Sequence, residues 1–170
     1  VKIIEALKQI KDLNRKVADI QGKVQKNCCY LSNETPTYGA NQKDQIAGWL
    51  QSVHDMLKEI LRLRIAINRT NLITNVAIEL GDITVTKTIA EWVIRRRELA
   101  KLEAQMWGCL SDRGLREGTI KQSNGELAEV KIIRCFDPAE RDKKLDAFQS
   151  EPIIIDSKLE IINAITDLIE

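Results

Sequence analysis

Four cysteines, one histidine and a run of three arginines are the side chains of this 170-residue chain whose types invite chemistry. Cys28, Cys29, Cys109 and Cys135 show no C-x-x-C spacing, and only His54 could join them as a ligand. A zinc site would need four ligands from widely separated segments, so neither a metal nor a cofactor is expected. A catalytic nucleophile of the Cys or Ser type needs a base such as His beside it. His54 lies off the main apolar stripe of its helix and reads as a partly exposed surface residue. There is no Gly-rich phosphate loop and no H-E-x-x-H pair. The carboxylates are scattered as they are on solvated helix faces, so no acid–base pair stands out. The expectation is a protein that is not an enzyme.

The remaining polar clusters each have a structural and a functional reading. Adjacent Cys28 and Cys29 are poorly placed to bond each other, but each could reach a distant partner or another chain in an oxidising setting. Reduced thiols in a cytoplasmic protein are the plainer expectation, with Cys28 and Cys29 the pair marked for any disulfide or redox role. Arg95-Arg96-Arg97 is the sharpest charge run. Three successive helical residues fan across about 200°, so they cannot form one flat patch. With Glu91, Glu98 and Lys101 close by, the run is expected to be salt-bridged or solvated, and contact with phosphate or an acidic protein is its functional alternative. Asn68, Arg69, Thr70 and Asn71 suit a helix end or the pinning of a hairpin. A small anion or a partner chain is the functional alternative there.

The elements that must carry these residues are mostly long helices. Ile3, Ile10, Val17 and Val24 recur every seven residues, with Ala6, Leu13 and Ile20 three residues after the first three. Those are the a and d positions of a coiled-coil stripe, which needs another helix within the chain or on a second copy. The first helix should run from about Lys2 to Lys26, some 37 Å. A loop rich in Asn, Thr, Pro and Gly follows over 27–43, long enough to be partly mobile. In helix two, Ile46, Val53, Ile60 and Ile67 repeat every seven residues, with Trp49 or Leu50, Met56 or Leu57, and Leu63 between. That face is wider than a two-helix seam, so the helix should touch two neighbours and end at the polar cluster 68–71.

Two hairpins are written after it. Asn75 to Leu80 and Ile83 to Val85 flank Gly81-Asp82, and Thr119 to Ser123 and Leu127 to Phe136 flank Asn124-Gly125. Asn124-Gly125 is expected to take positive φ at both positions, with Ile120, Val130, Ile132 and Ile133 on a buried side. Between the hairpins, Thr86 or Thr88 can cap a helix bearing Ile89, Trp92, Val93, Leu99, Leu102 and Met106 on its apolar face. Asp137-Pro138-Ala139-Glu140 is a strong helix start. Leu145, Phe148, Ile155, Leu159, Ile162 and Ile169 then follow in three- and four-residue steps, through Pro152. Proline inside a helix costs about 3 kcal/mol, so either the helix kinks near Gln149 or Ser150 caps a new helix, a break being the expectation.

Several of these segments resemble a family of short bacterial helical proteins labelled septicolysin-like, otherwise a domain of unknown function. The matching residues are Lys2-Ile3-Ile4-Glu5-Ala6-Leu7, Asp12-Leu13-Asn14-Arg15-Lys16, Ile65 to Asn71, the helix entry Ile83 to Thr86, and the strand Val130 to Ile133. The resemblance covers most of the chain, with Asn68 to Asn71 its most specific part. This chain departs from the family at Pro152, in the Cys28-Cys29 loop and in lacking an Asn-Trp pair near the end. The resemblance implies an oligomeric helical bundle with a β-hairpin element, and implies no activity and no catalytic residues.

Taken together, the expected fold class is mainly α with small β. It is an antiparallel long-helix bundle or coiled coil with one or two β-hairpins, forming a single elongated domain over 1–170. Residues 1–43 carry a net charge of +4 and residues 118–170 a net charge of −4, so the first helix and the last segment are complementary. No apolar run is long enough to span a bilayer, so no membrane contact is expected. The amino terminus lacks a signal-peptide core, and an opening Val fits a product whose initiator Met was removed. The expected function is self-association as a homo-oligomer, a structural component of a larger particle such as a phage virion assembled in the cytoplasm, with other proteins of that particle as partners. Ile3, Ile10, Val17, Val24, Ile155, Leu159, Ile162 and Ile169 are the expected interface. The alternative is an adaptor that binds nucleic acid or an acidic partner through its basic helix faces.

Overall fold

In the computed structural model, which describes residues Val1–Ile169, the chain is 64% helical and carries two small antiparallel two-stranded sheets. The elements in order are α1 (Ile3–Asn27), a 3-10 turn (Gly39–Asn41), α2 (Gln42–Ile73), β1 (Asn75–Leu80), β2 (Ile83–Thr88), α3 (Ile89–Ile94), a π turn (Arg95–Leu99), α4 (Ala100–Gly108), β3 (Gly118–Lys121), β4 (Leu127–Val130) and α5 (Pro138–Ile165). The π turn fuses α3 and α4 into one rod, which leaves four helices in all. The chain divides into two compact units, Val1–Thr74 with Glu160–Glu170, and Asn75–Leu159.

In the first unit α1 and α2 form an antiparallel hairpin. Gln9 donates to Glu59 near one end, and Gln42 Nε2 donates to the Asn27 carbonyl at 2.7 Å at the other. Ala6 and Ile10 of the heptad stripe bury against Ile60, Leu63 and Ile67, with Leu13 and Leu168 at the edge. Burial is complete only at this end. Val17, Ile20 and Val24 are half-buried, because the facing stretch of α2 is the only helix that covers them within the unit.

The two chain termini close the same end of the hairpin. Ile3 N donates to Thr166 O at 3.0 Å, Leu168 N donates to Val1 O at 2.8 Å, and Lys2 Nζ bonds Asp167 at 2.7 Å. The Lys2 ammonium holds the Asp167 carboxyl below its ordinary range. This pair is where the basic start and the acidic tail meet. Thr70, fully buried, then ties the tail to α2. Its hydroxyl donates to Ala66 O at 2.8 Å and accepts from Ile169 N at 2.9 Å.

That tie explains a departure from the sequence reading. Asn68 to Asn71 do not end α2. They lie in its last turns, and the helix continues to Ile73. Burial of Thr70 and its bonds on both sides hold helical a cluster whose residue types favour turns. The loop 28–41 is likewise anchored. Buried Gln42 accepts from Tyr38 N at 2.9 Å while bonding Asn27 O, and the Tyr38 ring meets Trp49 edge-on at 5.4 Å.

The second unit opens with the β1–β2 hairpin, whose Val76 and Ile78 point inward. Gly81 takes φ +64°, as a two-residue turn with Gly at its first central position requires. Thr88 caps α3, accepting from Glu91 N at 3.2 Å while Glu91 accepts from Thr88 N at 2.7 Å. These bonds lower the Glu91 pKa. Trp92 is fully buried and its indole N–H donates to Val76 O at 2.9 Å, locking helix to hairpin.

The π turn changes which residues of the rod face inward. In an unbroken helix, Leu99 and Met106 would fall on the Trp92 face with Leu102 at its edge, as the sequence suggests. One extra residue in the turn rotates everything after it by about 100°. Ala100 and Ala104 therefore take the inward positions, and Leu99, Leu102 and Met106 are exposed.

Helix α5 starts as expected, with Asp137 Oδ1 accepting from Ala139 N at 2.9 Å and Pro138 at the first position. It does not break at Pro152. Ser150 donates its hydroxyl to Ala147 O inside the helix, and buried Glu151 and Ile155 anchor the turns on both sides of the proline. Those anchors outweigh the local cost of the missing N–H. The β3–β4 hairpin is shorter than expected and has no buried face. Ile120, Val130 and Ile133 are exposed and Ile132 is half-buried. Its turn uses positive φ at Gly125 alone, with Gly125 N donating to Gln122 O at 2.9 Å.

Thr70→Val should keep the shape of the buried site and remove its hydroxyl, stranding the Ile169 amide. A loss of about 1–3 kcal/mol in chemical denaturation is expected, with faster hydrogen exchange at Ile169 and Leu168. An unchanged midpoint would show that the tail does not depend on this bond.

Candidate functional site

The most charged interior site is built on the π turn. Arg95 is part-buried, and its guanidinium forks onto Glu151, Nε to Oε1 at 2.6 Å and Nη2 to Oε2 at 3.0 Å. Nη1 reaches Glu103 at 2.5 Å, and the Phe148 ring lies 5.5 Å away under the cation. The Glu151 hydrogen bond raises the Arg95 pKa above its ordinary value. Burial opposes this, and Glu103 adds to the rise. Each nitrogen of the guanidinium thus has a carboxylate partner within the chain. Arg96 next to it pairs with Asp156, and Arg97 remains exposed. The arginine run is therefore divided among three ion pairs within the chain, two at Arg95 and one at Arg96, and one surface cation. Sequence reasoning placed acids close in sequence beside these arginines and missed Glu151 and Asp156, which lie 56 and 60 residues away. The rod and α5 run antiparallel, because Arg95 meets Glu151 while Leu110, further along the chain, accepts at 3.0 Å from Nη1 of Arg141, which comes earlier in α5.

The other candidate residues scatter. Asn68 and Arg69 are exposed on α2, Thr70 is committed to the tail, and Asn71 Oδ1 is enclosed with no hydrogen-bond partner. His54 is exposed on α2. Cys28, Cys29, Cys109 and Cys135 are all free and exposed. The hydrogen bond and charge of Cys28, its sequence neighbour, push the Cys29 thiol up, the opposite of an activated nucleophile. No group of three or more His, Cys, Asp or Glu among the described residues could hold a metal ion. No helix among them is long and apolar enough to cross a membrane.

The residues expected at an interface divide in two. Ile3, Ile10, Ile155 and Leu159 are buried within the chain, so they offer no surface to a second copy. Val17, Val24 and Ile162 are half-buried, and Ile169 is exposed. The apolar surface left open lies elsewhere. Leu50, Leu57, Leu61, Ile65 and Leu72 are exposed along α2, Leu99 at the end of the π turn with Leu102 and Met106 on α4, and Ile120 and Leu127 on the β3–β4 hairpin.

The comparison that decides the family is the match of residues 11–168 to the sequence profile of a family of unknown function, DUF6847. The chain belongs to that family. Membership of DUF6847 accounts for the unknown-function part of the resemblance read from sequence, and it carries no septicolysin-like designation. No curated protein matches the chain. Its fold is shared with a functionally unknown conserved protein from Corynebacterium diphtheriae, known from a crystal structure. The two are 21% identical, with 99% of each chain covered and a TM-score of 0.58. The likeness of this DUF6847 member to that structure therefore concerns architecture.

Two measurements test this part of the structure. Arg95→Met should cost about 3 kcal/mol or more, since it leaves Glu151 buried without its cation. Arg95→Met with Glu151→Leu should recover most of that loss in denaturant titration. A double-variant loss equal to the sum of the Arg95→Met and Glu151→Leu losses would show that the pair is not coupled. Alkylation of Cys29 by iodoacetamide, followed by mass spectrometry at neutral pH, should be slow and should accelerate in Cys28→Ser. No acceleration would remove Cys28 as the cause of the raised thiol pKa.

Proposed function

We propose that this chain is a non-enzymatic, self-associating assembly protein. The observation that carries the reading is the balance of its apolar side chains. Among the described residues, the large apolar side chains left exposed outnumber the apolar side chains in the core. Single exposed apolar residues are ordinary, but stripes along α2 and α4 are organised surfaces. The β3–β4 hairpin adds to this, because a lone two-stranded ribbon with no buried face is marginal in water and has two open edges. Cover by neighbouring copies would stabilise both features. The chemistry-bearing side chains support the same reading, since Arg95, Arg96 and Thr70 are taken up by internal bonds. The setting that goes with it is a larger particle put together in the cytoplasm, a phage virion being the example the sequence reading named.

Light scattering on a sizing column over a hundredfold range of protein concentration is the test. An oligomer that persists across the range, with and without reductant, is the expected result, because the association is apolar and the four thiols are free. A monomer at every concentration would overturn the proposal. An oligomer lost on reduction would replace apolar assembly with cysteine cross-linking.

A further inference from the structure

The exposed stripe of α2 has an internal symmetry that the buried stripe lacks. Leu50, Leu57, Leu61, Ile65 and Leu72 are spaced by 7, 4, 4 and 7 residues, the same read in either direction from Leu61. His54 and Asn68 fall on the same stripe, each seven residues from Leu61. All seven are exposed. At 100° per residue they lie within an arc of about 80°. The centre of that arc is about 160° around the helix from the face formed by Ile60, Leu63, Ala66, Ile67 and Thr70, which is buried.

We infer that this face binds a second copy of itself, antiparallel, about a two-fold axis at Leu61. The inference rests on the self-association proposed above and names its interface. A two-fold contact uses one patch twice, so a residue i that meets j must also be met by it. An antiparallel helix pair satisfies that condition with matched chemistry only if its stripe is palindromic, and this one is. Leu61 meets Leu61 of the second copy, Leu57 meets Ile65, Leu50 meets Leu72, and the polar His54 meets the polar Asn68. The spacing also lets the whole stripe engage. Leu50, Leu61 and Leu72 recur every 11 residues, about 3.67 per turn, close to the natural helical period. The stripe therefore runs straight along an undistorted helix for about 33 Å. Antiparallel helices also oppose their dipoles favourably, where a parallel pair would set His54 against His54 and place like helix ends together.

The experiment uses the full chain. Leu61→Glu puts a carboxylate at the centre of the proposed contact but at an exposed position of the single chain, so its helicity by circular dichroism should not change. Its dimer dissociation constant by light scattering should rise roughly a hundredfold or more. A spin label at Gln51→Cys, in a background of Cys28→Ser, Cys29→Ser, Cys109→Ser and Cys135→Ser, reads the geometry. Gln51 flanks the stripe and is exposed. Antiparallel pairing about Leu61 predicts labels separated by about 30 Å along the helix, and parallel pairing by about 10 Å. A dimer with the longer separation that Leu61→Glu dissociates is the expected result. An oligomer that survives Leu61→Glu, or that gives the short separation, overturns this interface and leaves self-association standing. A native chain that is monomeric throughout overturns both.

Discussion

A helix paired with only one other can bury only one of its faces, and that constraint governs how this chain folds. Within each unit two helical rods run antiparallel, α1 with α2 and the α3–α4 rod with α5. Each pair has room for a single apolar seam. The first seam is filled at one end by Ala6, Ile10, Ile60, Leu63 and Ile67. At the other end the same heptad stripe is half-covered, because no third helix of the unit lies over it. Helix α2 carries apolar residues on a second side as well, and these stay in water. The burial of one stripe and the exposure of the other follow from the same geometry.

Local irregularities are placed where long-range bonds can support them. The π turn at Arg95–Leu99 and the proline at position 152 would each weaken an isolated helix. They face each other through the Arg95–Glu151 ion pair, whose acid directly precedes the proline. The fork orients both helices at the point where each departs from ideal geometry. The π turn in turn admits small Ala100 and Ala104 to the interior and turns Leu99, Leu102 and Met106 outward. The result is a small-residue inward face on the rod and a new apolar face outside.

These features bear on function through what they consume and what they leave. The internal bonds use up Arg95, Arg96 and Thr70, which a ligand site could have drawn on. What the surface keeps includes aliphatic side chains ordered along α2. Such a surface suits recognition by shape and burial of area, and DUF6847 provides a frame in which such faces can be compared.

Much of the architecture was legible in the chain because it depends on neighbours within about four residues. The heptads of α1, a threonine cap at Thr86 or Thr88, the Gly81 turn and the Asp137-Pro138 start are of this kind, since cap, turn and stripe are local matters of φ, hydrogen bonding and helical period. The content of mostly helix with two small hairpins follows from them. The sites were less legible. Residue types singled out Arg95 and Thr70, but did not pair them with Glu151 and Ile169, which answer them across 56 and 99 residues. Those partners decided that α2 runs on through Asn68 to Asn71 and that α5 passes Pro152 unbroken. The π turn decided which side of the rod is inside. Sequence alone set which short segments would be helix or hairpin, because local terms act on them directly. Only the tertiary structure settled continuity, register and exposure, because burial and distant hydrogen bonds outweigh the 1–3 kcal/mol of local preference that opposed them.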